Sequence, residues 1–434
     1  MLTRIINAGL FSGETANGKP IYIKDAAIDF NGGKILYAGN AAAAPAHSPE
    51  RVVDGAGCVA IPGIANAHTH AAMVLLRGYG SDLNLHDWLH KKIFPAENKL
   101  TAEDVYFGSS LAFLEMLRFG VTASCDMYFM EDEIVRAAAD TGIRLAVVNP
   151  AVGSAKENRP QIDNMERTFV KHNDTHGGRV RALFGVHAEY TSDADMVRLV
   201  ADKAKELGAG IHVHISETQS EVEGCYARHG VSPVRYFEKL GLFDRPTMAA
   251  HCVRVNAEDI RILADNGVTV AHNPVSNLKL ASGAAPVPAM LAAGVKVALG
   301  TDGASSNNNL NIWEEMRLMS ILHKGTSGNP IAVTPAQTLA AATVNGMRGM
   351  GFHNAGIIKE GWDADIVLID TNGLHHCPAF AEEPEADLVY SAQGSDVVMT
   401  IVAGEVRYDH GIYPGIDVEP IKKAVRESAT RITQ

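Results

Sequence analysis

His68-Thr69-His70 places two imidazoles two residues apart. On a β-strand, residues i and i+2 face the same side, so both rings can reach one ion. Taken alone, such a pair also fits two partly exposed histidines. A second pair, His212-Val213-His214, lies in GIHVHISET, where His214 and Glu217 form an HxxE spacing. His214 is nearer the strand end and is the expected ligand. His212 is expected to support a ligand or to pack in the core. His251 closes the run PTMAAHC, and Asp302 closes VKVALGTDG. Together these positions offer three neutral nitrogens and one carboxylate oxygen, with one more acid and one more imidazole. That composition suits a hard or borderline divalent ion that keeps a position open for water.

Eight apolar runs carry these residues: AIPGIANAH, VTASCDM, RLAVVN, VRALFGVH, GIHVHI, TMAAHC, VTVAHN and VKVALGTD. Helical stretches separate them, which is the arithmetic of a (β/α)8 barrel. A doubly wound open sheet is the competing arrangement. It would want a GxGxxG turn after its first strand, and none follows here. The runs end on His68/His70, Asp126, Asn149, His187, His214, His251, His272 and Asp302, at the end of the strands where a barrel builds its active site. Thr101-x-x-Asp104 reads as a capping box with Asp in place of Glu. Phe107, Leu111, Leu114 and Leu117 follow at helical spacing, and Gly120 can close that helix. Both ends of the chain read as strands. AAIDFNGGKILYAG alternates around Asn31-Gly32-Gly33, a hairpin signal, and ADIVLID and VVMTIVAGEVRYDHG follow late in the chain. The predicted architecture is α/β: a TIM-type barrel over residues 60–355, with a small composite β-sandwich from residues 1–59 and 356–434.

The chain has 434 residues, and 38 Lys+Arg against 50 Asp+Glu give 38 − 50 = −12. An acidic chain without a Lys/Arg cluster is a poor nucleic-acid binder. No apolar run reaches the ~18–20 residues of a membrane helix. MLTRIINAGLFSGETANGKP lacks the apolar core of a signal peptide. Cys58, Cys125, Cys225, Cys252 and Cys377 are odd in number and form no CxxC pair, as expected of reduced thiols in a cytoplasmic protein.

VAIPGIANAHTHAAMVLLRG, HVHISET, AAHC, VAHNPVSNLKLASG, ALGTDGASSNNNL and GWDADIVLID, in this order, resemble the amidohydrolase superfamily. Within it they are most similar to the 5′-methylthioadenosine/S-adenosylhomocysteine deaminases. The resemblance spans nearly the whole chain. It implies one divalent metal ion per chain, Zn²⁺ first and Fe²⁺ or Mn²⁺ as alternatives, held by His68, His70, His214 and Asp302. Relatives with two metals carry a bridging Lys or Glu on strand four, whereas this strand ends Gly185-Val186-His187. The resemblance gives catalytic roles to Glu217, His251 and Asp302. It assigns Glu97 to the ribose hydroxyls, His187 to the purine or ribose, Trp88 to the base or 5′ substituent, and Arg159 to substrate binding. Asn149 stands where an arginine could bind an amino-acid carboxylate, and no proline flanks His187; both favour a neutral 5′ group. The implied reaction is hydrolytic deamination of an adenine nucleoside: 5′-methylthioadenosine, S-adenosylhomocysteine, 5′-deoxyadenosine or adenosine. The rivals are a deaminase of a free base or related heterocycle (guanine, a pterin, a triazine) and an inactive interaction protein on the same fold. The expected partner is a small nucleoside, with no nucleic acid and no membrane. Oligomeric state is left open, a homo-oligomer included.

Overall fold

The computed structural model describes residues 1–16, 19–83, 85–378 and 384–434. Two eight-stranded sheets organise them. The first is built from both ends of the chain: β1 (Thr3–Ala16), β2 (Lys19–Asn31), β3 (Lys34–Asn40), β4 (Arg51–Asp54) and β5 (Cys58–Pro62). The second sheet follows as β6 (Ile64–Thr69), β7 (Val121–Met127), β8 (Arg144–Ala151), β9 (Val180–Val186), β10 (Ile211–Ile215), β11 (Thr247–His251), β12 (Thr269–His272) and β13 (Lys296–Leu299). The chain then returns to the first sheet with β14 (Ile366–Asp370), β15 (Val397–Val402) and β16 (Glu405–Asp409).

Neighbours from β6 to β13 pair in sequence order, and every pair is parallel. The eight expected barrel strands are all present. The ends of the barrel meet through Asp302, whose N–H donates to the His68 carbonyl at 2.9 Å. The Asn66 side chain accepts from Thr301 N–H at 3.0 Å and donates to its hydroxyl at 2.7 Å. Small side chains such as Ala65, Ala123, Ala146 and Ala298 form a buried cluster with Met347 and Phe352, which follow the last barrel strand. The helix Ala102–Arg118 starts on the reciprocal Thr101/Asp104 box, and Gly120 behind it has φ +80°.

The terminal sheet is mixed. β1 pairs antiparallel with β2 but parallel with β4 and β5, and β14 pairs antiparallel with β5 and β15. Asn31 and Lys34 close the β2–β3 hairpin over Gly32 and Gly33, both at positive φ. The sheet curls over its own core, where Ile28 and Ile35 share one cluster with Leu368 and Ile401. The first expected barrel strand divides at Gly63. Cys58–Pro62 pairs with β1 and β14 in the terminal sheet, and only Ile64–Thr69 joins the barrel. A buried ion pair joins the two bodies: Arg144, at the start of β8, donates to Asp365 at 2.6 and 3.0 Å.

Candidate metal and active site

The site grows from strand ends. His68 lies on β6, His70 follows it, His214 lies on β10, His251 ends β11, and Asp302 follows β13. One ligand nitrogen from each of His68, His70 and His214 lies within 4.8 Å of the others. Asp302 Oδ1 is 3.5 Å from His68 Nε2 and 3.3 Å from His70 Nε2. Four non-glycine residues at these ends adopt the left-handed region: Ser216 (φ 52°), His251 (φ 73°), Cys252 (φ 46°) and Asp302 (φ 62°). Such strain persists only where the surroundings impose it; two of the four, His251 and Asp302, line the cavity of the site.

Each ligand ring is held by its other nitrogen. His70 Nδ1 lies 2.6 Å from the Met127 carbonyl, and His214 Nδ1 lies 2.8 Å from the His187 carbonyl. Donation from Nδ1 leaves Nε2 as the lone-pair atom on both. His68 Nδ1 lies 2.8 Å from His212 Nε2, so His212 abuts a candidate ligand ring. His68 Nε2 is buried and has no hydrogen-bond partner. Asp302 is held by Ser276 at 2.6 Å, Ser306 at 3.0 Å and Gly303 N–H at 2.9 Å.

These groups fit a divalent ion. Burial lowers the His68 pKa to about 3, so that ring is neutral and ready to ligate. Burial also acts on His70, but the hydrogen bond and charge of Asp302 outweigh it and raise that pKa to about 9. An imidazolium facing a carboxylate marks a place where positive charge is wanted. A cation among the three Nε2 atoms and Asp302 would meet that demand and satisfy the orphaned His68 nitrogen.

Glu217 lies three residues past His214. Glu221 accepts the Ser216 and Glu217 N–H groups, both at 2.7 Å, and so shapes the turn that presents Glu217. Burial raises the pKa of Glu217. Its Oε2 is 3.9 Å from His251 Nε2, while His251 Nδ1 is held by Asn277 Oδ1 at 2.8 Å.

These groups open into a cavity of about 560 Å³. His70, His214, Glu217, His251 and Asp302 line it, as do Trp88, Glu97 and His187. Trp88 and Glu97 come from a helical segment made of Leu85–Trp88, a π turn at Leu89–Ile93, and Phe94–Glu97. Glu97 Oε1 accepts the Tyr128 hydroxyl at 2.6 Å. Burial raises the Glu97 pKa, against the lowering effect of that bond. Burial lowers the His187 pKa to about 4.

Three of the residues singled out in the sequence lie outside the cavity lining. Arg159 is exposed between the helices Ala155–Asn158 and Pro160–His172 and does not line the cavity; Gln161 does. Asp126 turns its carboxylate to Ala71 N–H at 2.6 Å and holds the loop after β6. His272 packs beside His323, with ring centroids 5.5 Å apart, outside the cavity. Sequence reasoning passed over Tyr128, Ser276, Asn277 and Glu221. Ser276 and Asn277 stand in VAHNPVSNLKLASG, and Tyr128 directly follows the β7 strand, so strand-end position was the available signal.

A family model described as the amidohydrolase family matches residues 59–407. A 5-methylthioadenosine/S-adenosylhomocysteine deaminase of Dictyoglomus thermophilum is 47% identical over 371 residues, covering 85% of this chain and 86% of its own. A protein of the same name from Pelotomaculum thermopropionicum is 41% identical over 419 residues, 96% of each chain. Among solved structures, an adenosine deaminase from Xanthomonas campestris with bound zinc superposes with a TM-score of 0.94 at 31% identity, covering 99% of this chain and 98% of its own.

Proposed function

The chain belongs to the amidohydrolase family, and from that premise we propose that it is a metal-dependent hydrolytic deaminase. It converts an adenine nucleoside to the inosine counterpart and releases ammonia. One cavity holds both a metal-ligand cluster and, at Glu97, a carboxylate with acceptor capacity to spare; that juxtaposition carries the assignment. We assign His68, His70, His214 and Asp302 as ligands of one Zn²⁺.

The ion supplies acidification of a water at neutral pH. Asp302, beside the ligand rings, accepts the proton of the attacking water. Glu217 delivers a proton to the ring nitrogen next to the amino-bearing carbon, which makes that carbon electrophilic. His251, oriented through Nδ1 by Asn277, directs the Nε2 lone pair at the attacking water and accepts its O–H, holding it in place. The water oxygen bonds to that carbon, Asp302 passes its acquired proton to the amine, the new hydroxyl returns a proton to Glu217, and the C–N bond breaks as ammonia leaves.

Glu97 receives the ribose 2′ and 3′ hydroxyls. Tyr128 occupies one of about four lone-pair sites of the carboxylate. Trp88 covers the base or 5′ group, and His187 contacts the purine or ribose. Among the described residues lining the cavity there is no Lys or Arg, while Leu85, Trp88, Leu89, Ile93 and Phe94 supply an apolar wall. A neutral 5′ substituent, as in 5′-methylthioadenosine, suits that wall better than an amino-acid carboxylate. We place the enzyme in the cytoplasm, where its five unpaired cysteines stay reduced.

Glu97→Ala tests the diol assignment. It should lower kcat/KM for 5′-methylthioadenosine by on the order of 10²-fold, through loss of two charge-assisted hydrogen bonds. The 2′-deoxy analogue should be poor already and lose much less. Equal losses on both would move the assignment to a free-base deaminase.

A further inference from the structure

A second group of metal-ligand side chains lies in the terminal sheet, outside the barrel cavity. The tandem His375-His376 sits in a 3-10 turn, Leu374–His376, that follows β14. Asp396 ends another 3-10 turn, Gly394–Asp396, that leads into β15. One donor atom from each of these three residues lies within 4.8 Å of the others. Asp396 Oδ2 is 2.9 Å from His375 Nε2 and 3.4 Å from His376 Nε2.

His376 gives the group its direction. Its side chain is 0% exposed, and its Nε2 makes no hydrogen bond. Its Nδ1 lies 2.7 Å from Asp387 Oδ2, on the helix Pro384–Tyr390. A carboxylate that accepts from Nδ1 fixes the tautomer whose Nε2 carries a lone pair, the arrangement that orients histidine toward a metal. Here that lone pair faces a carboxylate oxygen, so two acceptors oppose each other across 3.4 Å. Either His376 is an imidazolium bridging two carboxylates, or a cation lies between the acceptors. His375 is 37% exposed, which leaves one side of the group open to water ligands.

We propose that His375 Nε2, His376 Nε2 and Asp396 Oδ2 hold a divalent cation of the zinc class, with Asp387 orienting His376. Two imidazoles and one carboxylate favour zinc, cobalt or nickel over calcium or magnesium. The ion would clamp together the turn after β14 and the turn before β15, with the helix Pro384–Tyr390 tied in through Asp387. That helix reaches the barrel, because the Tyr390 hydroxyl lies 2.7 Å from Ser320 Oγ on the helix Ile312–Ser327. The clamp is structural and takes no part in the reaction at the barrel mouth.

Equilibrium dialysis of the metal-stripped full chain against buffered free Zn²⁺, followed by elemental analysis, tests this. His375→Ala should bind one equivalent less than the wild type, whatever the barrel holds, and should keep its ammonia release once zinc is restored. Asp396→Asn, which preserves shape, is the second variant should His375→Ala fold poorly, and it should lose the same equivalent. Equal zinc content in the wild type and a folded variant overturns the proposal and leaves His376 as a bridging imidazolium. Loss of activity in a variant that binds one equivalent less overturns the separation from the barrel site.

Discussion

Glu217 sits on a turn that the chain builds with another acid. The Glu221 carboxylate takes the N–H groups of Ser216 and Glu217, and Glu217 reaches the cavity with Ser282 Oγ 3.4 Å from its Oε1. It is not needed as a ligand. Glu217→Gln should therefore retain the metal, as read by elemental analysis, while kcat falls by roughly 10³. Turnover within tenfold of the wild type would remove the proton-transfer role. The histidines, Asp302 and Glu217 were legible in the sequence because each closes or follows an apolar strand, where a buried polar side chain needs a reason. Tyr128 and Asn277 were not, because their partners Glu97 and His251 lie on other elements and only the fold brings them together. Arg159 lies exposed, and its loop carries no periodicity to fix which side chain reaches inward.

At the scale of elements, period and turn chemistry were enough for the hairpin at Gly32-Gly33, the helix behind Thr101 and all eight barrel strands. The division of the first barrel run at Gly63 was hidden, because VAIPGIANAH stays apolar across two strands of different sheets. Those sheets are joined by apolar packing, with Ile61, Val367 and Val402 in one cluster with Ile64 and Leu117, and by an ion pair. Asp365, 1% exposed, accepts two hydrogen bonds from Arg144 and one from Ala403 N–H at 2.7 Å. Asp365→Ala would leave the buried guanidinium with Asp363, at 3.3 Å, as its remaining carboxylate among the described residues. Removing one partner of a buried pair costs about 3 kcal/mol. The thermal midpoint should fall in calorimetry, while ammonia release well below that midpoint is kept, since neither residue lines the cavity. An unchanged midpoint would show that the terminal sheet is held by its apolar packing alone.

For the whole molecule, the proposed ligands span the seam of the barrel. His68 and His70 belong to its first strand and the residue after it, His214 to the fifth, and Asp302 follows the last. An ion bound there closes the ring of strands as well as serving the reaction, so stripping it should lower both activity and the thermal midpoint. Ion binding to the folded chain alone adds about 2.7 kcal/mol at a free concentration one hundred times Kd. No helix among the described residues is long and apolar enough to cross a membrane. The most direct test is ammonia release by the stripped and zinc-restored chain, measured across 5′-methylthioadenosine, adenosine, free adenine, guanine and a pterin. Zinc-dependent release from the adenine nucleosides, with little from the free bases, is the predicted result. Release from guanine or the pterin with none from any nucleoside, or release from nucleosides that does not depend on the ion, would contradict the account.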